Sequence, residues 1–314
     1  MKQIYSLIIL FLTLIAQAGT LRCMSYNVEN LFDMRHDSLC DDFEYIEDGL
    51  RNWSYSRYRH KTEQIARVVA NAAQWDTIAI IGLQEVENDW CLDGLCYQLR
   101  NIGYRYIHFE SLDERGIDVA MLYMPNLIQV IDSMPVKVDI GKDRTRDILY
   151  AKVAVKTTSD TLHILVCHLP SMLGGAATSS WKRERAKRTI EHLTDSIFAT
   201  QAHAHILVMG DMNNQPHEDI QGMHNRMTDI RFRHIGTHKY QGIWTCLDQV
   251  YLSPSLDSIS EVRIYNAPFL LESDKAYLGT RPKRTYVGYK YQKDGFSDHL
   301  PVLLDINLNK NLDY

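Results

Sequence analysis

Short apolar, β-branched runs recur along the chain at Leu21–Tyr26, Thr77–Leu83, Tyr104–Phe109, Asp118–Met124, Leu127–Ile131, Leu149–Lys156, Leu162–Cys167, Ile206–Met209, Leu247–Leu252, Glu261–Tyr265 and Val302–Ile306. Their length and residue types predict strands. Helical spacing is rarer. Tyr58–Ala73 sets Ile65, Val68, Val69 and Ala72 on one face, Trp181–Thr200 aligns Ile190, Leu193 and Ile197 beneath a Lys/Arg-rich face, and a weaker pattern covers Leu92–Arg100. Many strands with a few long helices predict an α/β sandwich in which helices cover stacked sheets. Neither an internal repeat nor a Pro/Ser-rich linker divides the chain, so one domain is the economical reading.

The apolar runs share a second property. Ile80-Ile81-Gly82-Leu83-Gln84 ends in Glu85, Ile164-Leu165-Val166-Cys167 ends in His168, and Ile206-Leu207-Val208-Met209-Gly210 ends in Asp211, with Asn213 two residues on. Leu21–Tyr26 ends in Asn27, and Asp298-His299 stands just before the last run. A strand buried on both faces must surface somewhere, so any one polar end has an ordinary explanation. The set, however, holds only acids, amides and imidazoles, the inventory that suits a hard, oxygen-seeking cation beside a phosphate. Glu85 can then supply an anionic ligand to Mg²⁺. An Asp beside an Asn can hold a water for in-line attack, and histidines can donate to a phosphorus transition state where negative charge grows. One further acid is needed to fix an imidazole's tautomer; Asp248 is the candidate, although on pattern alone it reads as a turn residue.

Composition changes this picture in three places. The chain has 314 residues, 45% of them hydrophobic, enough for a large core without staples. Lys2 is followed by an uncharged, Ile/Leu/Phe-rich run closing on Ala16-Gln17-Ala18. That is a basic start, an apolar stretch too short to span a bilayer and a small-x-small cleavage pattern, which predicts a secretory signal over residues 1–18, a mature catalytic domain over 19–314 and export to the periplasm or medium. An uncleaved anchor is the alternative. With the signal removed no membrane span is expected, and a monomer is. The formal charge of -5 becomes -6 when Lys2 is lost, so nucleic acid would not be collected by overall field. Of the six cysteines, Cys23, Cys167 and Cys246 lie in strand-like runs and read as small buried hydrophobes, whereas Cys91 and Cys96 form a plausible local bridge in a predicted loop. No Cys-x-x-Cys pair supports a structural zinc site.

Seven segments in order resemble the endonuclease/exonuclease/phosphatase superfamily, the metal-dependent phosphohydrolases that include deoxyribonuclease I, abasic-site endonucleases, sphingomyelinases and inositol polyphosphate 5-phosphatases. They are Ser25-Tyr26-Asn27-Val28-Glu29-Asn30-Leu31-Phe32-Asp33, Gly82-Leu83-Gln84-Glu85-Val86-Glu87-Asn88, Arg115-Gly116-Ile117-Asp118-Val119-Ala120, Cys167-His168-Leu169-Pro170-Ser171, Gly210-Asp211-Met212-Asn213, Leu247-Asp248-Gln249-Val250 and Phe296-Ser297-Asp298-His299-Leu300-Pro301. The first and last look most like exported bacterial members. The resemblance implies a deoxyribonuclease I-like, four-layer α/β/β/α sandwich with its site at the sheet edges, and a Mg²⁺ or Mn²⁺ cofactor. It implies Glu85 as main metal ligand with Asn27 beside metal and phosphate and Asp298 close by. His168 would bond the scissile phosphate, Asp211 would position or deprotonate the water, Asn213 would assist it, and His299, oriented by Asp248, would bond the transition state. Close relatives often carry Asn before the first histidine, Trp after it and Arg after the following Ser; here Cys167, Leu169 and Met172 stand in those places, which touches the rim of the site and so the substrate.

Two segments mix bases with aromatics, Arg51–Lys61 and Arg281–Lys293, the latter including Arg281, Lys283, Arg284 and Tyr286. Such mixtures suit phosphate contact with base stacking, and the second leads into His299, so those four residues are the substrate-binding candidates. The first segment reads equally as a solvated loop and helix start. Arg144 and Arg146 read as neighbours of flanking acids rather than as a phosphate fork. The expected function is an exported metal-dependent phosphoric ester hydrolase acting on nucleic acid or nucleotide. A sphingomyelinase-like lipid phosphodiesterase is the alternative, and a catalytically silent binding protein of the same fold is a second one, disfavoured because Glu85, Asp211 and His299 are all present.

Overall fold

The computed structural model describes residues 20–74, 76–172, 175–216, 220–230 and 235–308. The predicted export segment over residues 1–18 lies outside them. All eleven predicted strands form, in two six-stranded sheets. The first sheet runs β13 (Ser260–Ile264), β18 (Val302–Asn307), β1 (Thr20–Leu31), β2 (Ile78–Val86), β4 (Asp118–Tyr123), β3 (Arg105–His108); the second runs β5 (Ile128–Val136), β6 (Ile148–Val155), β7 (Thr161–His168), β8 (His205–Asp211), β12 (Asp248–Leu252), β9 (His224–Asn225). Each sheet contains a single parallel pair, β1 with β2 and β7 with β8. A parallel pair cannot be closed by a tight hairpin. The two long helices are accordingly the crossovers: α1 (Tyr55–Ala73) joins β1 to β2, and α3 (Ala176–Thr200) joins β7 to β8. A third, α2 (Asp89–Gln98), leads from β2 towards β3.

The alternation of side chains along a strand sorts the apolar residues into three cores. Ile80 and Met121 of the first sheet face Val166, Met209 and Val250 of the second. Their chain neighbours point outwards: Ile81 and Leu83 pack beneath Ile65 and Val68 of α1 and Leu92 and Leu95 of α2, while Leu165, Ile206 and Val208 pack beneath Ala186, Ile190 and Ile197 of α3. The layers are therefore α/β/β/α. The sheets approach closely at Gly82, where an added Cβ would come within 2.9 Å of the Met209 side chain. No helix among the described residues is long and apolar enough to cross a membrane.

Several expectations change. The first strand does not stop at Asn27 but continues to Leu31 through an irregularity in its pairing with β2, with Glu29 and Asn30 at φ 54° and 56°. All six cysteines are free. Cys91 and Cys96 lie on α2 rather than in a loop, and five residues of α-helix turn their Cβ atoms roughly 140° apart, so the predicted bridge does not form. The two basic-aromatic segments pack on each other. Arg51 stacks over the Tyr45, Tyr286 and Tyr289 rings, Arg57 over Tyr291, and Lys61 donates to Thr285 Oγ1 and Phe296 O. Their bases and aromatics thus satisfy one another inside the fold. Arg146 behaves as a buried anchor, but its partner is Asp113 at 2.7 Å rather than a flanking acid, and its other donors hold the carbonyls of His168 and Leu169.

Candidate active site at the strand ends

Because β1 is parallel to β2 and β7 to β8, the last residues of each pair emerge together. Asn27 pairs with Gln84, next to Glu85, and His168 pairs with Asp211. β12 runs antiparallel to β8, which sets its first residue, Asp248, directly opposite Asp211. β18 runs antiparallel to β1, so His299, three residues before it, reaches the same end. Ser297 pins that approach: its Oγ donates to Asn27 O at 2.7 Å and accepts from His299 N at 3.0 Å.

The side chains converge on Asp211. Asn27 Nδ2 donates to Asp211 Oδ2 at 3.1 Å and to Glu85 Oε1 at 3.3 Å. The same Asp211 oxygen lies 3.6 Å from His168 Nε2 and 3.8 Å from His299 Nε2. Its other oxygen accepts the Asn213 backbone N–H at 2.8 Å, while the Asn213 amide donates to Leu169 O at 2.9 Å. His299 Nδ1 faces Asp248 Oδ2 at 2.7 Å. Glu85 Oε1 is 3.8 Å from His168 Nε2, and its second oxygen accepts the Asn30 N–H at 2.9 Å. Glu85 and Asn213 are held at φ 66° and 48°, left-handed conformations that cost a non-glycine residue roughly 1–3 kcal/mol each. At Glu85 the turn coincides with a register shift against β4, which re-aims the carboxylate. Gly210 precedes Asp211 at φ 148°, and a Cβ there would meet Cys167 O at 1.9 Å, so only glycine lets β8 pass β7 at this point.

Charge divides the two histidines. Burial, helped by the Arg146, Arg115 and His299 charges, pushes His168 well below the usual imidazole range, so it is neutral. Burial acts in the same sense on His299, but Asp248, Asp211 and Asp298 outweigh it and hold the ring well above that range as imidazolium. Burial raises Asp211 to about 6, against the opposing charge of His299. The chemistry of the donor set fits a hard divalent ion: among the described residues neither Glu85 nor Asp211 is ion-paired to a Lys or Arg, and the oxygens of both meet at Asn27. Glu85 and Asn27 stand together there. The contacts of Asp298 run instead to His238 Nε2 at 3.9 Å and His299 Nε2 at 4.0 Å.

The four substrate-binding candidates do not act alike. Arg281 is paired with Glu272 at 2.7 Å on the hairpin β14 (Leu271–Ser273) and β15 (Thr280–Pro282). Tyr286 is buried in the core with its hydroxyl on Arg51 O at 3.0 Å, so its ring does not present a face for base stacking. Lys283 is half-buried, its backbone N–H on Leu270 O. Arg284, half-buried with its Nε unpartnered, depresses both Asp298 and His238 and is the candidate whose charge reaches the site.

Sequence reasoning missed three groups. His238 stacks on His299 with centroids 4.9 Å apart, and burial and the His299 charge lower it to about 4. It sits on a three-residue strand, β10 (His238–Tyr240), whose brevity leaves no periodic signal. Arg115 approaches Asn30 at 3.5 Å from within a segment quoted above only as a motif. Lys61, on α1, is buried behind the site, where its charge and that of Asp298 act on Glu29; Glu29 accepts the Thr285 and Tyr286 N–H groups and is raised by burial to about 7.

Comparison with solved structures gives the same architecture. Truncated TDP2 from Caenorhabditis elegans superposes with TM-score 0.59 at 15% identity, covering 93% of this chain and 99% of the other. The human nocturnin catalytic domain with bound sulfate gives 0.57 at 15%, covering 91% and 94%. Danio rerio TDP2 complexed with single-strand DNA product gives 0.52 at 14%, covering 92% and 99%. No curated protein matches in sequence. Residues 22–308, nearly the whole described chain, match the profile of a single family, and the protein belongs to the endonuclease/exonuclease/phosphatase family.

Proposed function

We propose that this protein is an exported, divalent-metal-dependent phosphodiesterase that hydrolyses a P–O bond by in-line attack of water, with nucleic acid or nucleotide as substrate. The observation that carries the reading is the convergence on one Asp211 oxygen of Asn27, His168 and His299, with Glu85 joined to it through Asn27. Bound Mg²⁺ or Mn²⁺ would supply Lewis-acid stabilisation of the phosphate charge, held by Glu85 with Asn27 and with Asp298 to one side. The chain's own groups do the rest. Asp211, oriented by the Asn213 N–H, takes the proton of the attacking water. The His299 imidazolium, fixed by Asp248, donates Nε2–H to the phosphoryl oxygens as charge accumulates. Neutral His168 donates from Nε2 to the same group, and Arg115 adds positive charge at the rim.

The preference for nucleic acid rests on Arg284 and Arg115, whose charges lie beside the site, and on the DNA-bound relative of the same fold. The residual acidity of the surface favours a short or single-stranded substrate over long duplex. The uncharged, apolar segment before residue 19 supports export.

The test is a hydrolysis panel of plasmid DNA, RNA, sphingomyelin and a bis-nitrophenyl phosphate ester, with Mg²⁺, Mn²⁺ or chelator, and Asp211→Asn as control. Cleavage that needs metal and disappears in Asp211→Asn supports the reading. No turnover with any metal rejects the enzyme, and turnover of sphingomyelin alone rejects the nucleic-acid preference while leaving a lipid phosphodiesterase.

A further inference from the structure

A second group of ligand-type side chains stands at the β3 edge of the first sheet, three strands beyond β1. His108 ends β3, Asp118 begins β4, and Glu110 lies on the connection between them; one ligand atom from each falls within 4.8 Å of the others. Neither His108 nor Glu110 has a part in the reaction above, and Asp118 belongs to the Arg115-Gly116-Ile117-Asp118 segment, whose acid that reaction also leaves without a role.

An acidic cluster alone says nothing, but the imidazole in this one is unusual. Its side chain is 1% exposed, and Nε2 is buried without a hydrogen-bond partner. The nearest acceptor is Asp118 Oδ2 at 3.6 Å, beyond hydrogen-bond reach. Asp118 is itself buried, its other oxygen accepting from Ser111 Oγ. Nδ1, in contrast, meets Asp89 Oδ1 at 2.9 Å. Burial would lower this imidazole, but Asp118, Glu110 and Asp89 outweigh it and raise the pKa above the ordinary value, so the gap between Nε2 and the Asp118 carboxylate calls for a positive charge, which a metal ion would supply in place of a proton.

A carboxylate on one imidazole nitrogen, with the free nitrogen aimed at oxygen donors, is the arrangement that orients a metal-binding histidine. Ligands round a tetrahedral ion at 2.0–2.1 Å are about 3.4 Å apart, close to the spacing of His108 Nε2 and Asp118 Oδ2. Glu110 is exposed and free to swing inwards by the remaining distance. The imidazole selects against Mg²⁺ and Ca²⁺, which prefer oxygen alone, and towards a first-row divalent ion. We propose that His108, Asp118 and Glu110 form a Zn²⁺ site, oriented by Asp89 and separate from the catalytic centre, which clamps the β3–β4 hairpin.

The experiment titrates the metal-free full chain with ZnCl2 by calorimetry and locates the ion by anomalous scattering from crystals grown with Zn²⁺. The expected result is a peak about 2.0–2.1 Å from His108 Nε2 and within bonding reach of Asp118. Calorimetry should lose one equivalent in His108→Ala, and Zn²⁺ affinity should fall about 10- to 100-fold in Asp89→Asn, whose carboxylate is on the surface and can be changed without disturbing the fold. Glu110→Gln, also exposed, should weaken binding at least about tenfold. A crystal with zinc at Glu85 and none at His108 overturns the proposal. So does unchanged stoichiometry in His108→Ala, or unchanged affinity in both Asp89→Asn and Glu110→Gln.

Discussion

Asp248 and His299 form a buried pair, Oδ2 to Nδ1 at 2.7 Å, although 51 residues separate them in sequence. Asp248 is the first side chain of β12 and His299 stands three residues before β18, so each is fixed by a different sheet. Asp248 heads the causes that overcome burial and raise His299. An acid that must be protonated loses activity as pH rises through its pKa. Asp248→Asn removes the charge while keeping the shape, so the alkaline loss of kcat/KM should move to lower pH, with a fall of about 10²–10⁴ at pH 7.5. A pH profile of kcat/KM for both forms reads this directly. An unshifted alkaline limb would remove His299 from the role of donor.

Arg284 is the substrate-binding candidate whose charge acts on the site, adding to His299 and His238 in lowering Asp298 and to burial and His299 in lowering His238. Arg284→Ala should raise KM about tenfold, equivalent to about 1.4 kcal/mol, with kcat changed less than about twofold. Arg284→Lys should recover only part, because a point charge replaces a planar fork. Arg281→Ala should leave KM unchanged, its charge being committed to Glu272. Steady-state kinetics on one substrate separates these outcomes.

Lys61 is a buried ammonium whose burial lowers it to about 8, with Glu29 and Asp298 opposing the shift. Its donors hold Thr285 Oγ1 and Phe296 O, and Glu29 holds the Thr285 N–H, so the three tie α1 to the segment that carries Ser297 and His299. Lys61→Met removes the donor to Thr285 Oγ1 and Phe296 O and the charge that lowers the buried Glu29, and should cost about 1–3 kcal/mol. Lys61→Met with Glu29→Gln should be less destabilised than the single variant. Urea unfolding of the two tests the coupling, and equal losses would show that Glu29 does not depend on Lys61.

The strands were legible because each is buried on one or both faces and carries a period of two or an unbroken apolar run, as Ile164-Leu165-Val166 does. The polar ends of the five runs were legible as residue types. Their convergence was not, since it depends on two parallel pairings that periodicity cannot specify. The basic-aromatic segments misled for a related reason: Arg51 and Tyr286 have the composition of a nucleic-acid groove, yet each is the other's partner across 235 residues. His238 gave no signal because a three-residue strand has no period, and Lys61, at the end of a basic-aromatic segment, read as solvated because it lies on a helix. Cys91 and Cys96 read as a loop pair because the helical pattern there is weak and begins only at Leu92, whereas the helix starts at Asp89.

Asp305 offers a stability test away from the site. On β18 it accepts Arg22 Nε at 2.6 Å and Arg22 Nη2 at 3.2 Å from β1, and Arg263 Nη1 at 2.5 Å from β13, so one carboxylate bridges three strands. Burial would raise it, but the Arg22 and Arg263 hydrogen bonds outweigh that and hold it below the usual carboxylate range. A carboxylate depressed in the folded state stabilises the fold above its unfolded pKa, near 4, and that contribution is lost as pH falls through the folded value. Asp305→Asn should therefore cost about 2 kcal/mol at pH 7, in the range of hydrogen bonds to charged groups, and less at about pH 3, below the unfolded pKa, where that contribution is already being lost. Urea unfolding of both forms at the two pH values measures the difference. An equal loss at both would mean that Asp305 acts through packing rather than charge.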